Sequence, residues 1–523
     1  LTVSNTPPEY VTDVPYVRSV ENDLSPVRLR LVAALNGFRP PPGDDFDYCE
    51  LGSAHGDTTA TLAAAYPHAR FVGVDLNPEH IASADALARG GGLENVRFLE
   101  RDFEALFHED LPDFDFITAH GVLSWVSPRK RKALLDFASA KLKPGGILYV
   151  SYNALPGWAA IEPLRQLILA RAMLSPGDSI ERARQGLDFA KLMNENGAAY
   201  FTSNPAAKAI LATMEKHGLH YVVHEYLHAH WVPMYFAQVA SEMAASDLYF
   251  MGQLPLYLNY RDVSIPQSLA PLFQTVEDRI TFESLKDFAL NEYFRRDLYI
   301  KGRALPSSAA TEAYVDSTPF GTIVGEGPIR RDVRLPHHTL HFAGSIFDAL
   351  LPVLEEGAAR VVALAPRAEL AGFGIQRIRD AILRLALAAQ VSPMQQPTRA
   401  AATPEVGVFR IPSAYNRWVL HQGLATEAPA VLASTAAGIG IEVPTVEAIA
   451  ILLLTEVAPE KRDEWVRGFC GREGFRLTVR DRAIASRQEQ QRVLLDEVER
   501  FRARRLSKMI ELGILDAATS LTS

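Results

Sequence analysis

Cysteine is nearly absent from this chain: Cys49 and Cys470 are the only two in 523 residues. Two cysteines cannot make a disulfide framework or a cysteine-ligated metal centre, so the fold must rest on apolar burial. Long apolar runs are missing too. A membrane helix needs about 18 uncharged apolar residues, and the run from Ala448 to Leu454 is well under half of that. No membrane insertion is therefore expected. There is no excess of positive charge: 53 Lys and Arg stand against 62 Asp and Glu, a formal charge of −9. A nucleic-acid partner, which calls for a basic footprint, is not expected. The opening residues, Leu1-Thr2-Val3-Ser4-Asn5-Thr6-Pro7-Pro8, lack the basic start and apolar stretch of a secretory signal. A reduced, cytoplasmic setting is the expectation. What the chain does have is 48% hydrophobic and 22% charged residues, the balance of a folded globular protein. Its length predicts three or four domains.

Past Pro40-Pro41-Pro42-Gly43-Asp44-Asp45, short β-rich runs alternate with helical stretches. Strands are expected at 46–51, 71–74, 96–99, 114–119 and 147–152, with helices at 57–66, 78–89 and 129–142. Pro78 after Asn77 suits a first helical turn, and Lys143-Pro144-Gly145-Gly146 stops the third helix. Strand and helix repeated in this way predict an α/β, Rossmann-like sheet with parallel βαβ units. Helices follow within 159–218, read as an insertion, and β-like runs at 220–227 and 248–252 are read as strands six and seven. The expected organisation is a core over 1–255, a middle domain over 256–325 with a helix at 288–299, and a C-terminal α+β domain over 326–523. That last domain closes with a charged helix at 481–512, stopped by Gly513.

Chemistry concentrates at the strand ends. Glu50-Leu51-Gly52-Ser53-Ala54-His55-Gly56 follows the first strand and opens a helix. The glycines permit a tight turn and close approach of a ligand. A dinucleotide loop prefers G-x-G-x-x-G, but position 54 is alanine, so the G-x-x-x-G spacing suits a nucleoside with no diphosphate to cradle. Asp75, at the end of the second strand, can accept both ribose hydroxyls. Asp102-Phe103 follows the third strand and fits an adenine, the acid facing the exocyclic amine and the ring packing on the base. Ala119-His120-Gly121-Val122-Leu123 closes the fourth strand. All four lie where open α/β sheets bind ligands.

These four elements together resemble the class I S-adenosylmethionine-dependent methyltransferases, whose seven-stranded sheet ends with an antiparallel strand. The resemblance implies that Glu50, Gly52, Ser53, Ala54 and Gly56 frame the methionine end of S-adenosylmethionine. It puts Asp75 and Leu76 at the ribose and Asp102 and Phe103 at the adenine, with His120 as a further contact. Other segments are similar to the rickettsial-type protein lysine methyltransferases with a methyltransferase regulatory region. These are Tyr10-x4-Pro15-Tyr16, Gly121-Val122-x-Ser124-Trp125, Tyr152-Asn153-x-x-Pro156-Gly157-Trp158, His224-Glu225-Tyr226-Leu227, Pro233-x-Tyr235-Phe236 and Phe294-Arg295-Arg296. Ser53 stands where that group more often has cysteine. The resemblance covers residues 10–300 and implies a lysine acceptor on a protein and a homodimer built through the helical insertion. A small-molecule O- or N-methyltransferase and a non-catalytic cofactor-binding scaffold are the alternatives.

Methyl transfer to lysine needs an aligned and neutral amine, against a reference pKa of about 10.4. Aromatic walls lower that pKa by desolvation and tolerate a cation. Tyr16, Trp125, Tyr152 and Trp158 are candidates for such walls, Asn153 for an orienting group, and His120 for a base. Each aromatic has the alternative role of plain packing. His224-Glu225-Tyr226-Leu227-His228 spells H-E-x-x-H, a zinc motif when helical. Tyr221-Val222-Val223 favours strand, so the expectation is no metal and a structural role for Glu225. Residues 460–512 carry 14 basic against 10 acidic side chains, read as a solvated helix face with pairs such as Asp496 with Arg500 and Glu499 with Arg502.

Overall fold

A computed structural model describes residues 18–228, 230–323, 327–399, 408–426, 428–472, 477–479, 482–484 and 486–518. Tyr16 and the Tyr10–Pro15 segment lie outside the described residues. The five expected core strands form: β1 (Asp47–Leu51), β2 (Arg70–Asp75), β3 (Val96–Glu100), β4 (Phe114–Ala119) and β5 (Leu142–Asn153). β6 (Leu248–Leu254) and β7 (Phe294–Lys301) complete one seven-stranded sheet in the order β3-β2-β1-β4-β5-β7-β6. β1 to β5 are parallel, while β7 runs antiparallel to both β5 and β6. Every residue of β1 is buried, as a strand covered on both faces requires.

Helices α1 (Pro26–Leu35), α2 (Asp57–Ala65), α3 (Pro78–Gly90) and α4 (Pro128–Lys141) flank this sheet. The α3 start is capped by Asn77, whose side chain accepts from the Glu79 N–H at 2.9 Å. Ser127 accepts from Lys130 at 3.3 Å at the head of α4. One face of the sheet buries an aromatic cluster of Phe46, Tyr66, Phe71 and Phe116. The other buries Leu106, Phe114, Phe137 and their aliphatic neighbours.

The insertion after β5 comprises α5 (Glu162–Met173), α6 (Ser179–Glu195), α7 (Ala199–Ser203), α8 (Pro205–His217) and α9 (Leu219–Tyr226). Its core joins Trp158, Ile168, Leu187, Phe201, Val222 and Trp231. The run at 220–227 is therefore not the sixth strand but the last helix of the insertion. Val222, Val223 and Tyr226 are buried in that core, and tertiary burial overrides the β-branched preference. The expected helix at 288–299 is corrected as well. A helix covers Arg279–Leu290, Asn291 turns it in the left-handed region at φ 49°, and β7 follows. Strands six and seven are thus 248–254 and 294–301, and the expected core boundary at 255 falls inside the sheet. The expected break at 325 also falls within one apolar cluster, which joins Val315, Phe320, Ile329, Leu354 and Ile382. A second cluster joins Val27 and Ala358 to residues between Met394 and Leu515 around the buried helix Thr445–Thr455.

The closing segment forms a short strand, Arg482–Ile484, and then two helices, Arg487–Arg504 and Leu506–Glu511, rather than one. There Arg502 pairs with Glu499 at 3.9 Å, whereas Arg500 pairs with Glu497, at 2.5 Å. Cys49 and Cys470 are both buried and unbridged. Among the described residues no helix is long and apolar enough to cross a membrane.

Candidate active site

The turn after β1 is pinned to the end of β2. Gly52 and Ser53 both donate their N–H to the Val74 carbonyl, at 2.8 and 2.9 Å. The backbone then passes through the left-handed region at Gly52 (φ 80°), at Ala54 (φ 46°) and at Gly56 (φ 74°). Glycine is required at 52 on two counts: that φ, and a Cβ that would stand 2.6 Å from the Val122 side chain. Ala54 tolerates its strained conformation because Asp75 holds it: Asp75 Oδ2 accepts the Ala54 N–H at 2.9 Å. Asp75 Oδ1 accepts from Asn77 N–H at 2.9 Å and faces His80 Nδ1 at 3.2 Å. Each carboxylate oxygen offers two lone pairs, so Oδ2 keeps one for a ligand hydroxyl.

One pocket gathers most of the expected cofactor residues. Gly52, Ala54, Asp75 and Leu76 line one side, and Asp102, Phe103 and His120 line the next. Asp102 is paired with Lys130 at 3.1 Å through one oxygen, and the ring of Phe103 packs against the adjoining apolar cluster. Three expected residues stand behind the loop rather than on the pocket. Glu50 is buried, accepts from the Thr59 hydroxyl, and has its carboxyl pushed up to about 8 by burial. Ser53 is buried, its hydroxyl without a partner among the described residues, and Gly56 packs closely on Ala84 and Phe98. Such a cradle fits S-adenosylmethionine: tight backbone at one end, a carboxylate with a spare lone pair in the middle, an acid and an aromatic ring at the far end.

The expected acceptor-side residues separate. Trp125 is on the pocket, its ring 5.4 Å from that of His228 in an edge-on arrangement. Tyr152 is not on the pocket. Its hydroxyl donates to Asp297 at 2.7 Å, inside a buried network where Arg295 also contacts Asp297 (3.0 Å) and Asp287 (2.5 Å). Asn153 is buried at the end of β5, where its N–H donates to Ser124, and Trp158 packs on Trp231 in the insertion core.

His120 is held by hydroxyls. Ser151 Oγ, which accepts from Gly121 N–H at 2.7 Å, lies 3.2 Å from His120 Nδ1. Tyr149 hydroxyl lies 3.0 Å from the same nitrogen. Burial holds the pKa of His120 below its ordinary value, which favours the neutral ring.

The remaining wall was not expected. With His224 and Glu225 in the last turn of α9 rather than in a strand, and His228 just past its end, the H-E-x-x-H segment presents all three to the same pocket. The histidine rings stand 6.3 Å apart. Burial lifts the Glu225 carboxyl to about 7. Burial, then His224 and Arg165, depress His228 to about 4, so its ring is neutral at pH 7. Among the described residues no group of three or more His, Cys, Asp or Glu is arranged to hold a metal ion. Arg101, Lys130 and His80 are further site neighbours that sequence reasoning missed. His80, packed at 4.5 Å against His55, stands five residues past Asp75 in the first turn of α3, the only signal that could have found it.

Comparison with known proteins agrees with this geometry. A family model described as a methyltransferase domain matches residues 49–148, and one described as a predicted methyltransferase regulatory domain matches 218–301. The second match contains α9, β6 and β7, so it completes the catalytic sheet and one wall of the pocket. An uncharacterized protein, sll1526, of Synechocystis is 31% identical over 97% of this chain and 99% of its own. Trans-aconitate 2-methyltransferase of Methylobacterium radiotolerans is 32% identical over 31% of this chain and 57% of its own. The fold matches the structure of PKMT2 from Rickettsia typhi in complex with AdoHcy, with a TM-score of 0.71 at 20% identity over 95% of this chain and 99% of that one. The chain is of one family with the Synechocystis protein, and its own two domain matches make it a class I S-adenosylmethionine-dependent methyltransferase that carries the methyltransferase regulatory region.

Proposed function

We propose that this methyltransferase N-methylates lysine side chains of a protein acceptor. The observation that carries the reading is the wall facing the cofactor loop: Trp125 edge-on to His228, with the histidine ring uncharged. An aromatic, weakly charged wall desolvates an ammonium and so favours its neutral, nucleophilic form, and it accommodates the methylated cation afterwards. The fold shared with PKMT2 over nearly the whole chain supports the same reading.

S-adenosylmethionine supplies a sulfonium-bound methyl group that is already activated, so the protein's task is alignment. On this reading Asp75 holds the ribose through Oδ2, while Asp102 and Phe103 hold the adenine. The backbone at Gly52 and Ala54 approaches the methionine end, with Glu50, Ser53 and Gly56 supporting the loop from behind. His120, on the pocket wall, hydrogen-bonds the ligand or acceptor. The residues beyond 301, which the pocket does not use, form the surface that chooses the protein acceptor.

The test follows labelled methyl groups from S-adenosylmethionine into a host lysate. Label in the protein fraction is expected, and label confined to small molecules contradicts the proposal. Binding of S-adenosylmethionine without release of S-adenosylhomocysteine in any fraction would point to a scaffold instead.

A further inference from the structure

We propose that Glu225 is the acceptor-side carboxylate, holding the incoming ammonium in the pocket and taking its proton before methyl transfer. The inference rests on the N-methylation reading above. It gives residues 218–301, matched as a regulatory domain, a direct part in catalysis.

Three carboxylates line the pocket, and two are already engaged. Asp75 is held by Ala54, Asn77 and His80, and Asp102 by Lys130. Among the described residues no cation pairs with Glu225. Its position is fixed by the last turn of α9, which carries His224 and Glu225, and His228 follows two residues past the helix end on the same pocket. That helix is anchored by Val222, Val223 and Tyr226 in the insertion core. Beyond it, Arg165 donates to the His228 carbonyl at 2.5 Å. The carboxylate is thus mounted on a rigid element rather than a loop tip.

The surroundings match the task. Facing Glu225 are the phenols of Tyr221 and Tyr226 on its own helix and the rings of His224 and His228. Across the pocket stand His120, His230, Asp75, and the paired Asp102 and Lys130. His228 and His120 are neutral, so neither screens nor competes for the ammonium. Burial raises the Glu225 carboxyl to about 7, far closer to an amine than an exposed glutamate. In the step, the ammonium nitrogen passes its proton to Glu225, leaving a neutral amine and a neutral carboxylic acid. The amine lone pair then forms the new carbon–nitrogen bond while the methyl–sulfur bond breaks and its electron pair goes to sulfur.

The probe is sinefungin, which carries a primary amine where S-adenosylmethionine carries the sulfonium methyl and needs no knowledge of the acceptor. Calorimetry on the full chain compares sinefungin with S-adenosylhomocysteine in the wild type and in Glu225→Gln. The expected result is a loss of about fivefold or more in sinefungin affinity with S-adenosylhomocysteine changed less than about twofold. Equal losses for both ligands, or no loss for either, overturn the proposal. The wild type gives a second test that does not depend on the variant folding. Its preference for sinefungin over S-adenosylhomocysteine should rise with pH through about 7 as Glu225 ionises; a flat preference overturns the assignment. Label entering proteins together with a flat sinefungin result would leave N-methylation standing and remove Glu225. Label in small molecules alone, with sinefungin sensitive to Glu225, would remove the protein acceptor and keep an amine.

Discussion

The Asp75 carboxylate carries the Ala54 amide across the mouth of the pocket: a 2.9 Å hydrogen bond from Ala54 N–H to Oδ2 ties the turn after β1 to the end of β2. The same side chain accepts from Asn77 and faces His80, so one residue shapes the loop and offers a lone pair to the ligand. Asp75→Ala strands three donors and should cost about 1–3 kcal/mol of stability. Denaturant titration reads that loss, and calorimetry should find S-adenosylmethionine binding abolished. Unchanged affinity would mean that the ribose end of the site lies elsewhere.

Gly52→Ala combines a left-handed φ of 80° with a Cβ placed 2.6 Å from Val122. Cofactor affinity should fall at least about tenfold, with about 1–2 kcal/mol of stability lost to the strained backbone alone. Gly145→Ala is the matched control, since its φ of 78° imposes the same strain but no atom of the described residues lies within 4 Å of the new Cβ. It should lose stability and keep cofactor affinity. Adding Val122→Ala to Gly52→Ala should restore part of the binding.

Arg295 is wholly buried among Asp287, Asp297 and Glu283, at 2.5, 3.0 and 3.2 Å. Against the cost of burial, Lys286 and Arg295 hold Glu283 down at about 2, whereas Asp287 is pushed up to about 7. Arg295→Met would leave these acids without their shared partner and should cost about 3–5 kcal/mol. The denaturation midpoint reads the loss. A shift of less than about 1 kcal/mol would show that the network contributes little to holding β7 in the sheet.

Burial raises the Glu50 carboxyl from 4.5 to about 8. Between those values the folded protein keeps a proton that the unfolded chain releases, so this group lowers stability as the pH rises from about 5 to 8. Glu50→Gln, which can still accept from Thr59, should remove that slope. Its melting temperature relative to wild type should be higher at pH 8 than at pH 5. An unchanged difference at the two pH values would place an ionised Glu50 in the folded state.

Six of the seven strands and the glycine loop were legible in the sequence: β1 to β5 are short parallel strands with turn residues at their ends, and the β-like run at 248–252 forms as β6. β7 was not. Its inward residues include Arg295 and Asp297, so the alternation that marks a strand is written in charge rather than in apolar side chains. α9 was hidden for the opposite reason. Tyr221-Val222-Val223 carries a local β preference that packing against Trp158, Leu187 and Trp231 overrules. One mistake produced the other: with α9 read as strand, Glu225 and the two histidines were assigned away from the pocket they line. On the cofactor side, Gly52, Ala54, Asp75, Leu76, Asp102, Phe103 and His120 converge because each follows or closes a strand end, and strand ends can be read from local pattern. Tyr152 and Asn153 also close a strand, yet their side chains turn into the protein.

The central claim is that the transferred methyl group ends on a lysine nitrogen. Its most direct measurement is the chemical form of the label after S-adenosylmethionine is incubated with the enzyme and host proteins. The account predicts label that survives alkali and elutes as Nε-methyllysine after complete hydrolysis of the protein fraction. Label released by mild alkali as methanol would mark a carboxyl ester and contradict it.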